Sequence, residues 1–174
     1  IDGSQWDKDF IGQLSFASGY NTVASGRFSV ALGNNSTASG DNSFALGNTT
    51  ASGNFSVAMG DATSAIGLNS TAMGGVSLAG GGYSTAMGYA TTAIGNYSTA
   101  MGIGTTATGI ASTATGEGTI ATGDYSIAIG TNSFAKGYGS FSTGLFNDIS
   151  DNPAPGTPAA TDRIFQIGNG VSSA

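Results

Sequence analysis

"STAMGYATTAIGNYSTAMG", residues 84–102, places Ser84, Ala86 and Gly88, then Thr91, Ala93 and Gly95, then Ser98, Ala100 and Gly102 at a constant interval of seven. Seven is the period of a coiled coil, but a heptad seam needs large apolar residues at two helical positions. Here the fixed positions are small and a glycine falls in every turn, so the helical reading fails.

Working outward, the unit is [S/T]-x-A-x-G-x-x, repeated nineteen times from Ser15 to Gly144, with alanine third in every copy except the last, where Ser142 stands. A fixed short period of this kind means stacked, equivalent units. One step, from Ala45 to Ala51, is six residues long and drops a residue at Asn48, in a turn. In an extended strand successive side chains alternate between faces, so Ser/Thr, Ala and Gly share one face. Two strands with two-residue corners make a 14-residue coil too narrow to enclose bulky side chains. Ala86 and Ala93 are therefore expected to point into a narrow roll and the glycines to turn the corners. The inward hydroxyls should bond to neighbouring coils or corner amides. At about 4.8 Å per coil, nine or so coils form a rod of roughly 45 Å.

The outward residues alternate in character. After alanine, one face carries Leu32, Leu46, Met59, Met73, Met87, Met101, Thr115, Ile129 and Thr143, mostly large and apolar, and all four methionines are here. The other face carries Ser25, Ser39, Ser52, Ile66, Gly80, Ile94, Thr108, Thr122 and Lys136. A roll filled with Ala and Ser has no interior for the first set, and contiguous apolar patches mark contact surfaces. The stripe predicts self-association through Val30, Leu32, Phe44, Leu46, Val57, Met59, Met73, Met87, Met101, Ile127 and Ile129. Because it runs the length of the rod, closure is expected to be cyclic, with parallel copies around one axis. The period leaves two and three copies open.

Composition narrows the function. With 30 glycines and 8% charged residues, order has to come from regularity rather than from a mixed globular core. A net charge of −6, with only Lys8, Arg27, Lys136 and Arg163 basic, leaves little to neutralise phosphates, so nucleic acid is not an expected partner. The chain has neither cysteine nor histidine. No disulfide or thiolate site can form, and the commonest acid-base group and metal ligand is missing. No nucleophile elbow, phosphate loop or dinucleotide fingerprint is present. No enzyme activity, cofactor or metal is expected. No apolar run approaches the roughly 18 residues of a membrane span. Starting at Ile1 without a signal segment, the chain reads as a soluble, excised part of something longer.

"NNSTASGDNSFALGNTTASGNFSVAMG" (34–60) and "NYSTAMG" (96–102) resemble the head repeats of trimeric autotransporter adhesins of the YadA type, over residues 15–144. The resemblance implies an all-β fold: a left-handed parallel β-roll, or β-solenoid, of 14-residue coils with two short strands per coil. Three parallel chains are then assembled with their apolar faces inward. It further implies a bacterial cell-surface fibre, anchored in the outer membrane through a missing region, that attaches to host, matrix or other surfaces. Residues 1–14, with the one tryptophan, are expected to cap the first coil. Residues 145–174 pass through a Pro-containing loop to a short strand, Arg163 to Ile167, leading to a missing C-terminal module. That tail is similar to segments of phage-type tail fibres, so a receptor-binding or spacer fibre on a virion or contractile injection particle is the alternative. Ice binding is a third reading, but the outward threonines Thr71, Thr85, Thr99 and Thr113 form only part of an array.

Phe28, Phe55, Tyr83, Tyr97 and Tyr125 recur at the corner before the apolar strand and are a candidate ligand surface for an extracellular matrix protein or glycan. A packing ladder explains the same column, since stacked coils repeat side chains with or without a ligand. The N-x-[S/T] sequences at Asn34, Asn35, Asn48, Asn54, Asn69 and Asn96 follow from a turn-favouring Asn near an obligatory Ser. Asp41, Asp61, Glu117 and Asp124 each follow a repeat glycine and read as solvated corner residues rather than calcium ligands.

Overall fold

The computed structural model describes residues 11–147, 155–158 and 162–169. The expected N-terminal cap lies, through residue 10, outside the described residues. The chain runs through β1 (Phe16–Tyr20), β2 (Val23–Ala24), β3 (Val30–Asn34), β4 (Thr37–Ala38), β5 (Phe44–Ala51) and β6 (Val57–Ala65). It continues through β7 (Thr71–Gly75), β8 (Leu78–Ala79), β9 (Thr85–Tyr89), β10 (Thr92–Ala93), β11 (Thr99–Ile103) and β12 (Thr106–Ala107). Then follow β13 (Thr113–Glu117), β14 (Ile120–Ala121), β15 (Ile127–Thr131), β16 (Phe134–Ala135), β17 (Phe141–Leu145) and β18 (Phe165–Asn169).

All pairings are parallel and join residues one coil apart: Ala17 with Ala31, Met73 with Met87, Thr92 with Thr106. The result is a parallel β-solenoid of about nine turns, as the period demands. Its two ladders are unequal, five-residue strands on one face and two-residue strands on the other. The inside-outside assignment holds along the whole roll: all eighteen repeat alanines are at most 1% exposed. Each buried methyl contributes only about 0.8 kcal/mol, so the core draws its strength from number.

The corners depart from expectation. Except before Thr49, the chain is turned by the residue just before each repeat Ser/Thr, held left-handed at φ of +48 to +62° whatever its side chain. The repeat glycine, fifth in each unit, has a different task. Gly102, after a long strand, has φ +119°, whereas Gly95, after a short one, lies outside the left-handed region. What both share is crowding: a Cβ on either would stand 2.0 Å from a carbonyl oxygen of the next coil, Gly116 or Gly109. The coils stack too closely there for any side chain.

Val76 is the least suited of the corner residues, β-branched yet at φ +54° and exposed. A left-handed residue with a Cβ costs about 1–2 kcal/mol, and asparagine tolerates the region best after glycine. Its amide donates to Asp61 O at 2.9 Å, a bond that asparagine retains. Val76→Asn is expected to stabilise the protein by about 1 kcal/mol, seen as a higher urea midpoint at unchanged slope. An unmoved midpoint would show that the corner carries no strain.

The six-residue step has a simple structure. Asn48 pairs with Asp61 and Thr49 with Thr63, so what is missing is the left-handed residue after Asn48, and Ala62 bulges on the next coil. Without that residue β5 and β6 cross the corner unbroken and join the two ladders into one sheet.

The inward hydroxyls meet only part of their expected bonding. Ser29, Ser43 and Ser112 donate to glycine carbonyls three residues back at 2.6–2.7 Å, and Thr91 donates to Ser77 Oγ on the neighbouring coil at 2.8 Å. The bonded hydroxyls engage carbonyl or hydroxyl oxygens, not corner amides. Ser56, Ser70, Ser84 and Ser98, on four consecutive coils, find no partner among the described residues. A narrow wall of backbone, most of it already paired in the ladders, offers few further acceptors.

The tail returns to the roll. The strand expected at Arg163 to Ile167 is β18, two residues later, and it pairs with β17 in register, Gly168 on Gly144, after a 24-residue step. Asn147 occupies the hydroxyl position of what would be the next coil. Its Oδ1 accepts from Phe134 N–H at 2.6 Å and its Nδ2 donates to Phe134 O at 2.8 Å, so one side-chain amide pairs the outer edge of β16. Its Nδ2 also contacts Gln166 Oε1.

Candidate functional site

Two surfaces carry residue types that the fold itself does not require. The first is the outer side of the long-strand ladder, where the second and fourth residues of each unit form two columns. Val30, Phe44, Val57 and Ile127 stand in one column, and Leu32, Leu46, Met59, Met73, Met87, Met101 and Ile129 in the other. Register brings all eleven onto a single face. Each shields its neighbours one coil away, so most are half-buried within one chain, while Leu46, Met101, Ile127 and Ile129 remain exposed.

Sequence reading missed four members of this face. Phe16 extends the first column at the N-terminal end, and Phe141 and Phe165 extend it at the other, with their rings stacked at 5.7 Å. Ile167 extends the second column. Position two was legible for Phe16 and Phe141. Phe165 and Ile167 were hidden by the 24-residue step, which breaks the period without breaking the register. Thr71, Thr85, Thr99 and Thr113 fill the middle of the first column beside Met73, Met87 and Met101, so the threonines on this face alternate with thioethers rather than forming a flat hydroxyl array.

The second surface is the corner after each short strand. Phe28, Phe55, Tyr83, Tyr97 and Tyr125 all sit there in the left-handed conformation, about half exposed. They do not form one continuous platform. Tyr83 and Tyr97 stack at 5.2 Å with planes 10° apart, but Asn42, Asn69 and Ala111 interrupt the column, and Tyr125 turns edge-on to Tyr138.

The residue before the corner position also has a defined part in several coils. Where Asp or Asn stands one coil on, its side-chain oxygen meets the amide of the residue before the corner: Arg27 N–H by Asp41 Oδ1 at 2.9 Å, Gly82 N–H by Asn96 Oδ1 at 2.9 Å, and Ile110 N–H, before Ala111, by Asp124 Oδ1 at 2.8 Å. Asp124 N–H in turn donates to Pro155 O, since Tyr138 on the next coil has no carboxyl or amide to offer. On the opposite corner Asp61 accepts from Asn48 and Asn35 from Asn21. Corner Asp and Asn thus pair the backbone and one another, a more specific role than solvation. Among the described residues no group of three acidic, His or Cys side chains converges as for a metal ion. No helix there is long and apolar enough to cross a membrane.

The family model described as the YadA head domain repeat, two copies, matches residues 11–36, 24–50, 51–77, 79–105, 102–124, 107–133 and 121–146. No curated protein matches the chain.

Proposed function

Since the chain belongs to the YadA head family, we propose that it is the head of a trimeric, surface-exposed bacterial adhesin and acts as a structural and adhesive part rather than as a catalyst. The observation that carries this is the two-column apolar face. It spans β1 to β18 on a roll whose interior is already filled, and contact with other copies would bury it. A parallel arrangement of three around one axis covers the whole length at once, because each coil meets the same coil of its neighbours. In that arrangement Val30, Leu32, Phe44, Leu46, Val57, Met59, Met73, Met87, Met101, Ile127 and Ile129 face the axis and the corners look outward. Attachment to matrix proteins or glycans then works through many weak, repeated contacts on a rigid rod, anchored through regions beyond this segment.

Light scattering after size exclusion tests the assembly, and a mass near three times 17.0 kDa is expected at all concentrations. Beads coated with the trimer are expected to adhere to matrix- or glycan-coated surfaces. Equal retention of uncoated beads would end the adhesive role and leave the fibre.

A further inference from the structure

We propose that the aromatic corner holds two slots, each binding one uncharged pyranose ring between two aromatic side chains over an asparagine amide. The proposal rests on the adhesive reading and names its ligand chemistry. The slots lie between Phe28 and Phe55, floored by Asn42, and between Phe55 and Tyr83, floored by Asn69. These five residues occupy successive coils in the same left-handed conformation, at φ of +54 to +60°.

The spacing is what selects a ring. Where aromatics occupy adjacent coils, as at Tyr83 and Tyr97, they stack at 5.2 Å. At Asn42 and Asn69 the column continues with one ring left out, so the walls stand two coils, about 9.6 Å, apart. A ligand ring inserted in the gap lies at stacking distance from both walls and replaces the absent side chain. The floor then selects a sugar. No hydrogen bond within the described residues engages the side-chain amides of Asn42 and Asn69, whereas Asn54 and Asn96 next to this column are committed to backbone amides. Apolar walls against the C–H faces of a pyranose, with a free donor and acceptor for its hydroxyls, form the usual division of labour in a small-molecule site.

Charge limits the choice further. Among the described residues the cation beside the slots, Arg27, faces Asp41 at 3.6 Å, so no described side chain there favours an acidic sugar. The gap at Ala111 has no amide and one wall turned against Tyr138, and it is not counted as a slot.

Saturation-transfer NMR on the full chain tests this with methyl β-glucopyranoside, methyl β-galactopyranoside and N-acetylglucosamine, and with p-cresol as a mimic of a protein's aromatic side chain. At least one sugar is expected to receive saturation through its ring protons. Asn69→Tyr, which continues the Tyr83–Tyr97 stack with a residue those corners already accept, should fill one slot and remove about half the signal. Asn42→Tyr/Asn69→Tyr and Phe55→Ala should each remove nearly all of it, since the sites act independently and Phe55 is the shared wall. No transfer to any of the three sugars, undiminished transfer in the double variant, or slot-dependent transfer to p-cresol alone would each overturn the proposal. The mass of the same samples separates the two readings: threefold mass without transfer removes the slots and leaves the trimer, and transfer to a single chain does the reverse.

Discussion

Ala93→Leu is expected to destabilise the roll by about 3 kcal/mol or more, at the top of the range for overpacking a core. Ala93 is wholly buried on β10, with Ala79 and Ala107 in register one coil to either side. Three added carbons have nowhere to go. In an ordinary core neighbouring side chains change rotamer, but here the neighbours are methyl groups and hydroxyls on a wall of paired backbone, so relief comes only by breaking the ladder. Because each coil leans on the next, the damage spreads to the flanking coils. Thermal unfolding by far-UV circular dichroism reads the effect, with outward Ile94→Leu as the control that leaves the midpoint in place. Equal melting of Ala93→Leu and wild type would reverse the assignment of inside and outside.

The second large effect concerns assembly rather than folding. Met87 lies in the middle of the apolar face, in register with Met73 and Met101. Around a threefold axis Met87→Asp buries three unpaired carboxylates, and an uncompensated buried charge costs about 3–5 kcal/mol. The mass is expected to fall from three chains to one of 17.0 kDa while the far-UV spectrum stays native, because the side chain points away from the roll's interior. Thr92→Asp, on the outer side of the short-strand ladder, is expected to leave the threefold mass intact. If Met87→Asp also left it intact, the stripe would not be the subunit contact.

The fold was legible because its rules are local and repeat. Ser/Thr, Ala and Gly at fixed spacing state the inward face outright, and the eighteen buried alanines follow. Corner chemistry was less legible. Left-handed backbone falls on Phe28, Asn42, Val76 and Ala90 alike, so no residue type marks it; glycine, the usual marker, stands there only at Gly104, Gly118 and Gly139 among the described residues, while the repeat glycines are fixed by close stacking. Nor does composition reveal that an amide such as Arg27 N–H needs a partner one coil on, which is why Asp41 read as merely solvated. The tail failed for a third reason. Register is carried by pairing, and a 24-residue step that lands Gly168 on Gly144 looks, in sequence, like the end of the repeat. Of the surfaces, the apolar face was nearly complete in sequence. The aromatic corner was visible only as a list, since its alternation with Asn42 and Asn69 becomes a pattern once coils are stacked.

The ladders also give the rod a mechanical character. Every inter-coil hydrogen bond points along the long axis, so a pull between the two ends loads all the bonds of one coil together and successive coils in series. Each coil contributes about 4.8 Å of length while wound but about 48 Å once its 14 residues are drawn out at about 3.4 Å each. A coil that yields therefore pays out some tenfold its wound length of tether before the next is strained. A stiff rod under slack becomes a shock absorber under drag.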